Sequence, residues 1–595
     1  MTSAAGVRVE IQPVGCRVQC ARGTTLLEAA IAAGHQITAV CGGKGLCGHC
    51  LVRVIKGTLA EPSLAERDRL TPRQLAEGFR LACAAQVLGD CTVDVPATSR
   101  PTSQRLQIAG DTHQVPFQPA VTEHLVIVQP PTVRDPRSDL TLLCDALDHG
   151  DATSADHSVL MRLPGLLSRE NRTLRASLRG LEIIDVRPIS QQPLGLAVDI
   201  GTTKIAAYLV DMETGATLAA DGVTNPQIAY GEDVMSRIAF TMRDDTRRLS
   251  TVLLDGINEL VGRLCPNPAR IVDAVVVGNT AMHHLFLGLP VRQLGLAPYN
   301  AVVSEPVDVK ARDLGLRLAA GAYVHLLPNV AGFIGADHVA MILATGLDRT
   351  AETVIGLDIG TNTEVVLARH GRLLSCSTAS GPAFEGGHIE HGMRAVDGAI
   401  EKVNIEGDNV KFETVNAAPP IGICGSGVLD AVAALRRAGL VNRRGRLLPH
   451  VRVRETRDGR EFVLVRPEDA EGRALTLSEK DIAEILLAKA AIRTGIDALL
   501  REAGTSVEEL DRIVIAGAFG THIDVASAID IGMLPGLPLS RVEQVGNAAG
   551  VGARQALVSA PQRELAVAVA RQIQYLELMV QPDFAARFAQ AMYLP

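Results

Sequence analysis

Apolar residues alternate with polar ones in the first hundred positions, with turn residues between the runs, so Gly6 to Pro13 and Cys16 to Ala21 read as a hairpin and Leu51 to Ile55 as a further strand. After Pro96 the pattern lapses into Pro, Ser, Thr and Gln, the composition of a linker. A strand-like Leu125-Val-Ile-Val and a helical stretch around Leu140 to Leu147 open a small block that carries no functional motif. From Leu194 onward the rhythm becomes strand, glycine turn and helix, repeated many times, as in α/β architecture. Late in the chain, Ile485, Ala488, Ile492 and Ile496 fall at helical spacing and predict a helix with its apolar stripe on the core. The expected fold class is multidomain: a small α+β module at 1–96, a flexible linker at 97–123, a middle domain at 124–193 and a large two-lobed α/β domain at 194–595, its lobes divided near 350.

One internal repeat sets the expectation of two lobes. Gly195-Leu-Ala-Val-Asp-Ile-Gly-Thr-Thr-Lys-Ile recurs as Ile355-Gly-Leu-Asp-Ile-Gly-Thr-Asn-Thr-Glu-Val, so one strand–turn–strand unit occurs twice. In each copy a hydrophobic strand delivers an aspartate, Asp199 or Asp358, into a tight turn of glycine and hydroxyl residues. Gly201, Thr202, Thr203 and Lys204 in the first turn, and Gly360, Thr361, Asn362, Thr363 and Glu364 in the second, suit phosphate oxygens. The aspartates suit Mg²⁺ or its waters, so the candidate ligand is ATP with Mg²⁺, and Asp199 and Asp358 are the candidate catalytic groups.

The cysteines supply a second chemistry. Cys41-Gly-Gly-Lys-Gly-Leu-Cys47-Gly-His-Cys50, with Cys83 far downstream, gives four thiolates in the spacing of one [2Fe–2S] ferredoxin class. The intervening glycines let the loop close over a cluster and turn N–H groups toward its sulfurs. A structural zinc site is the competing reading, although such sites usually pair two knuckles. Cys16, Cys20 and Cys91 lie outside the pattern. No strand followed by Gly-x-Gly-x-x-Gly is present to hold a flavin or nicotinamide, so the reductant is external.

Composition narrows the partners. The chain is 47% hydrophobic and 21% charged with a net charge of −8, and no basic block stands out along it, so nucleic acid and anionic membrane are poor partners. No apolar run is long enough to span a bilayer and the amino terminus lacks a signal-peptide pattern, which leads to a cytoplasmic expectation. The 11 cysteines are few for 595 residues and cluster early, pointing to metal binding in a reducing compartment.

The cysteine spacing and Arg80-Leu-Ala-Cys83-Ala resemble the adrenodoxin-like and related bacterial ferredoxins, which implies a β-grasp module with one one-electron cluster on Cys41, Cys47, Cys50 and Cys83. The paired turns resemble the phosphate-1 and phosphate-2 motifs of the acetate and sugar kinase/Hsp70/actin superfamily. Arg512-Ile-Val-Ile-Ala-Gly517-Ala518-Phe519-Gly resembles its adenosine motif, with Ala518 where many members have a second glycine and Phe519 at an often small position. Gly425, Ser426 and Gly427, opening a helix, resemble the glycine turn of dehydratase activator ATPases; a tight strand-to-helix connection is the alternative. By the same resemblance Lys489 or Glu484 reaches adenine or ribose, with a solvated face as the alternative.

The order of cysteine module, linker, middle block and two-loop domain resembles, over nearly the whole chain, the reductive activators of corrinoid proteins. That resemblance rests also on Leu327-Pro-Asn-Val-Ala-Gly-Phe-Ile-Gly-Ala-Asp337 and Ala379-Ser-Gly-Pro-Ala-Phe-Glu-Gly-Gly-His388. It implies an ATP-dependent return of an inactive Co(II) corrinoid in a methyltransferase system to Co(I), an external low-potential donor, and a homodimer through the large domain. Ser380, Glu385 and His388 are then the candidate partner contacts, against a structural turn beside the second phosphate loop. Three other readings stay open: activation of another low-potential enzyme such as a dehydratase, a small-molecule kinase with a redox sensor, and an ATP-dependent binding switch with a regulatory cluster.

Overall fold

Cys16–Cys20 pairs antiparallel with Val7–Gln12, and Val7–Gln12 in turn lies parallel to Val87–Asp94. Leu51–Leu59 and Phe79–Leu81 complete this five-stranded sheet of a computed structural model. The structure describes residues 6–12, 16–33, 37, 39, 43, 45, 48, 50–96, 99, 115–147, 152–231, 233–242, 246–457, 459–469, 474–517 and 519–595. Contacts divide the chain into two compact units. One comprises Met1–Arg105, Pro226–Asp244 and Pro382–Ile485; the other comprises Leu106–Asn225, Asp245–Gly381 and Leu486–Pro595.

In the first unit the helix Leu26–Ala32 starts at a capping box, Thr25 taking the Glu28 N–H while the Glu28 carboxylate takes the Thr25 N–H. Its apolar face, with Leu26, Leu27, Ala29 and Ala30, closes a small core against Val9, Ile11, Val52 and Val93. The same unit holds an inserted module of two three-stranded sheets. Asn409–Thr414, Ala399–Glu406 and Gly422–Ile423 form one, and Val453–Thr456, Gly459–Val465 and Leu475–Ser478 the other. The helix Gly425–Arg437 packs on Ala399–Glu406.

The second unit is built from the repeat. Leu194–Ile200, Lys204–Asp211 and Thr217–Thr224 run antiparallel, and Leu194–Ile200 is also parallel to Ile271–Gly278, which is followed across the sheet by Tyr323–Leu326. The second sheet repeats that order with Val354–Ile359, Thr363–Arg369, Arg372–Thr378, Arg512–Ala516 and Val542–Gly546. Each sheet gains a sixth strand at opposite ends of the common order: Val307–Lys310 beside Tyr323–Leu326, and Ile573–Tyr575 beside Arg372–Thr378. The strands that carry Asp199 and Asp358 are apolar on both faces, as strands covered on both sides must be.

After the fifth strand of each sheet the chain enters a helix, Ala336–Thr345 in the first and Ala548–Val558 in the second. These two helices pack against each other in a core shared by both sheets. Their backbones nearly touch, since a Cβ on Gly552 would stand 2.1 Å from the Ala340 carbonyl oxygen.

The middle block forms a four-stranded sheet, Val121–Ile127, Thr173–Arg179, Glu182–Arg187 and Ser154–Ala155, with helices Asp139–Ala146 and His157–Arg169. The linker boundary expected at 123 needs correction. Val121–Ile127 is already a strand, and Gln118 exchanges backbone hydrogen bonds with Val558 and Ala560 at 2.9 and 2.7 Å. The strand read at Leu125-Val-Ile-Val thus starts earlier, at Val121, where the polar Thr122, Glu123 and His124 masked its beginning. No described helix is long and apolar enough to cross a membrane.

Candidate functional site

The two repeated turns meet: Thr203 Oγ1 and Thr361 Oγ1 are 3.4 Å apart, one from each sheet. Asparagines brace the first turn. Asn225 donates from Nδ2 to the Gly201 carbonyl at 2.9 Å and from its backbone to the Thr203 carbonyl at 2.8 Å. Asn279 Nδ2 reaches Thr202 Oγ1 at 3.0 Å while its own carbonyl oxygen caps the helix Thr280–Phe286. Asn547, the cap of helix Ala548–Val558, donates to Asp199 Oδ2 at 2.9 Å.

The second turn is braced differently. Ser380 Oγ lies 3.2 Å from the Gly360 carbonyl, 3.3 Å from the Thr361 carbonyl and 2.9 Å from Thr363 Oγ1. Ser377 Oγ donates to Glu364 Oε1 at 3.2 Å. Gly517 sits beside this turn with φ +91°, where a Cβ would come within 2.6 Å of the Ile359 carbonyl oxygen and 2.7 Å of Asp358 Oδ1. Glycine is thus required both by backbone conformation and by the close approach.

Four acids crowd between the sheets. Burial pushes the Asp199 carboxyl up to about 6, partly offset by the Asn547 hydrogen bond. Burial and then the Asp199 charge push Asp358 up to about 7. Asp337, in the first turn of helix Ala336–Thr345, is raised well above the usual carboxylate range by burial, then by Asp358 and Asp199. Glu364 is raised likewise by burial, then by Asp337 and Asp358. Like charges held together disfavour ionisation, and a cation placed among them reverses that preference.

The residues fit a magnesium nucleotide by this test: acids raised by burial and by one another, next to two turns rich in N–H and O–H donors. Among the described residues no three His, Cys, Asp or Glu side chains form a ready cage. That suits Mg²⁺, which keeps several waters and takes its remaining ligands from phosphates and one or two carboxylates. Asp337 and the three bracing asparagines escaped the sequence reading. The first is a lone acid opening a helix, and the others show no spacing tied to the turns.

Several expected site residues stand elsewhere. Lys489 does not reach toward the turns: it is 2% exposed, its Nζ donates to the Tyr593 carbonyl at 2.6 Å, and burial lowers its pKa to about 8. Ser380, expected as a partner contact, is 4% exposed and is a brace of the second turn, the alternative weighed for that segment. A Cβ on Gly425 would meet the Phe384 carbonyl oxygen at 1.7 Å, and one on Gly427 the Ile400 carbonyl oxygen at 2.0 Å. These glycines answer to a tight strand-to-helix connection. Glu385 is half-buried, and its charge acts on the buried Arg237 and Arg394 of its own unit. His388 is exposed, with Nδ1 3.8 Å from Glu484. Phe519 follows Gly517 in the second unit, and Ala518 lies outside the described residues.

Of the cysteine ligands, Cys41 and Cys47 also lie outside the described residues. Cys50 Sγ and Cys83 Sγ are 3.3 Å apart. Two thiolates on one tetrahedral metal at ~2.3 Å stand about 3.8 Å from each other, so this pair is nearly in place. The Cys83 turn is held rigidly. Ala82 N donates to the Cys50 carbonyl at 2.8 Å, and the Leu81 N–H reaches Glu66 at 3.2 Å. Glu66 is itself in a buried ion pair with Arg80 at 2.8 Å. Burial alone would raise the Glu66 carboxyl, but the Arg80 and Ser63 hydrogen bonds outweigh it and hold it below its usual range. A Cβ on Gly45, at φ +73°, would stand 2.9 Å from the Ala65 Cβ. The thiols present fit a thiolate-bound cluster.

Comparison with known proteins divides the chain into four successive segments. Residues 9–88 match a 2Fe-2S iron-sulfur cluster binding domain, 110–192 the RACo linker region, 194–350 the RACo middle region, and 352–595 the C-terminal domain of RACo, the ASKHA domain. The chain is 31% identical over 581 residues to the corrinoid activation enzyme RamQ of Eubacterium limosum, covering 93% of each. It is 27% identical over 417 residues to the [Co(II) methylated amine-specific corrinoid protein] reductase of Methanosarcina barkeri, covering 65% of this chain and 74% of that one. A solved structure of a reductive activator for corrinoid, iron-sulfur protein superposes with a TM-score of 0.73 at 35% identity, over 99% of this chain and 98% of the other. With a 2Fe-2S domain followed in order by the linker, middle and ASKHA regions, and with a relative 31% identical over 93% of each chain, the chain belongs to the family of reductive activators of corrinoid proteins.

Proposed function

We propose that this protein restores the Co(II) form of a methyltransferase corrinoid protein to Co(I), drawing one electron from an external donor and the driving force from ATP hydrolysis. The observation that carries the reading is the meeting of the two repeated turns, Thr203 against Thr361, above a crowd of mutually repelling acids, in a chain that also bears a cysteine module. In this reading Asp199, Asp337 and Asp358 would hold Mg²⁺, Thr202, Thr203, Thr361 and Thr363 would take phosphate oxygens, and Cys41, Cys47, Cys50 and Cys83 would hold the cluster. A [2Fe–2S] group supplies single electrons at a potential near roughly −400 mV in ferredoxins of the plant type.

An ATPase is needed if cobalt lies well below that potential. A one-electron shift of roughly 60 mV corresponds to about 1.4 kcal/mol, so a nucleotide-bound state that holds Co(I) protein about 10⁴-fold more tightly than Co(II) protein moves the couple by about 240 mV. Hydrolysis at the paired turns resets that state.

The test follows a purified methyltransferase corrinoid subunit by visible absorbance after adding the chemically reduced protein, with and without Mg-ATP. Co(I) bands that appear only with ATP are expected. Equal activation without nucleotide removes the coupling from this reading, and Cys83→Ser is expected to abolish Co(I) formation while leaving ATP hydrolysis in place.

A further inference from the structure

Tyr208 brings a phenol into the core beside the first hairpin. It lies on Lys204–Asp211 opposite Ala197, so its ring stands on the sheet face that carries Asp199, two residues along the neighbouring strand. It is 1% exposed, and its Oη makes no hydrogen bond of ordinary geometry among the described residues. A hydroxyl buried unpaired disfavours a fold, so its presence calls for a reason. Burial and then the Asp199 charge push its pKa up, with Arg554 and Asn547 opposing them in part, so the oxygen keeps its proton and is a donor.

The surroundings are shaped to admit it. The helix Ala548–Val558 has a glycine in its first turn, Gly550, where a Cβ would stand 2.4 Å from Tyr208 Oη and 2.8 Å from its Cε2. Glycine is a poor helix former, and here it makes room for the phenol. One turn later Arg554 lies over the ring, its Cζ 4.8 Å from the centroid, and its Nη1 donates to Thr217 Oγ1 at 3.1 Å. Asn547, the cap of the same helix, takes the Gly550 N–H at 2.8 Å and gives its Nδ2 to Asp199 Oδ2 at 2.9 Å. The hydroxyl therefore ends beside the amide that holds Asp199.

The repeat supplies a control. Two residues before Asp358, the matching ladder position pairs Gly356 with Val366. Val366 is buried in the core shared by both sheets, so this strand position packs without a polar atom. Directly across from the aspartates, Ala206 faces Asp199 where Glu364 faces Asp358. The second hairpin thus adds an acid where the first adds a phenol one step further along the same face.

We propose that Tyr208 is a positioning residue for the magnesium nucleotide, its O–H donating to a water that Asp199 and the cation share. Asn547 fixes one oxygen of the carboxylate directly, and Tyr208 fixes its approach to the cation through that water. The hydroxyl then disfavours the nucleotide-free fold and is satisfied in the loaded one. The inference rests on the reading of the two hairpins as a magnesium-nucleotide site.

The test compares wild type with Tyr208→Phe, which keeps the ring under Arg554 and removes only the oxygen. The urea midpoint without nucleotide, the Kd for Mg-ATP and the Kd for ATP in excess EDTA are measured on the full-length protein. The variant is expected to unfold at the same or a higher urea concentration, to bind Mg-ATP about tenfold more weakly, and to bind metal-free ATP as wild type does. In an Asp199→Asn background the substitution is expected to add nothing to the loss of Mg-ATP affinity. An unchanged Kd for Mg-ATP overturns the proposal. So does weakened binding that is equal with and without metal or comes with a lowered urea midpoint, since either describes packing alone; an undiminished effect in the Asp199→Asn background overturns it as well. Wild type that binds Mg-ATP no more tightly than ATP in EDTA sinks the reading of the hairpins itself, whereas metal-dependent binding by wild type with an unaffected variant sinks only the role of Tyr208.

Discussion

The two repeated hairpins share a sequence unit and a strand order but are fastened in different ways. The Asp199 turn is held by three asparagine side chains, two of which also cap helices. The Asp358 turn is held by the hydroxyls of Ser377, Thr378 and Ser380 and by close packing on Gly517. Amide braces fixed to helix termini make the first turn part of a rigid frame. Hydroxyls from the segment Ser377–Ser380 hold the second turn in place of amides. Duplication therefore supplied two equivalent hairpins, and their surroundings made them unequal.

That contrast is broken most sharply at the aspartates. Asp199→Asn and Asp358→Asn are each expected to lower ATP turnover by about 10²-fold or more, because each removes a charge that only the cation-bound site needs. Asp337→Asn belongs to the same class. Loss of turnover in one hairpin variant but not in the other, measured as steady-state phosphate release, would show that only one hairpin holds the reacting phosphate.

Next in size is Gly517→Ala. The new methyl meets the Ile359 carbonyl and the Asp358 carboxylate in a backbone region unsuited to alanine, at an expected cost of about 2 kcal/mol or more in denaturant unfolding. Smaller still is Ser380→Ala, which removes one hydroxyl from the second turn at about 1 kcal/mol and is expected to raise the KM for ATP several-fold. The matched change on the first turn, Asn279→Ala, costs a similar amount through its lost helix cap. The difference between them lies in coupling: Ser380→Ala is expected to weaken the ATP dependence of Co(I) formation, and Asn279→Ala to leave it intact.

The sequence made the cysteine module, the repeat and the order of segments legible because each depends on local spacing: Cys50 lies three residues after Cys47, and Asp-Ile-Gly-Thr occurs twice. What stayed hidden was set by contacts distant in the chain. Asp337 and Asn547 reach the turns only because two helices cross at Gly552, and nothing near either residue announces that crossing. Lys489 looked available on a helix face until the carboxy-terminal Tyr593 closed over it. Of the edge strand Val121–Ile127 only the start was hidden, because Thr122, Glu123 and His124 precede the apolar run read from Leu125 onward. Ser380 sits in a glycine-rich segment that reads equally well as a loop for a partner and as a brace for a turn.

The last difference between the regions is electrostatic and small enough to need a paired measurement. A carboxyl whose pKa is raised on folding holds more protons in the native state. Its contribution to stability is therefore present below the unfolded value and is lost as pH rises through the folded one. For Asp358 that loss runs from the ordinary aspartate range up to about 7, and for Asp199 up to about 6. Buried His283 and His338, both pushed down to about 3, act in the opposite direction, destabilising the fold as pH falls below the ordinary imidazole value. The nucleotide-free protein is thus expected to be most stable slightly below neutrality. Comparing wild type with Asp358→Asn isolates the acid cluster: the variant's unfolding midpoint is expected to exceed that of wild type by a margin that widens from pH 6 to pH 8. Saturating Mg-ATP should close that margin by stabilising wild type, because the cation compensates the same repulsion. A margin constant across that range would mean that the acids do not repel one another in the folded protein, and the second hairpin would then differ from the first only in its fastening.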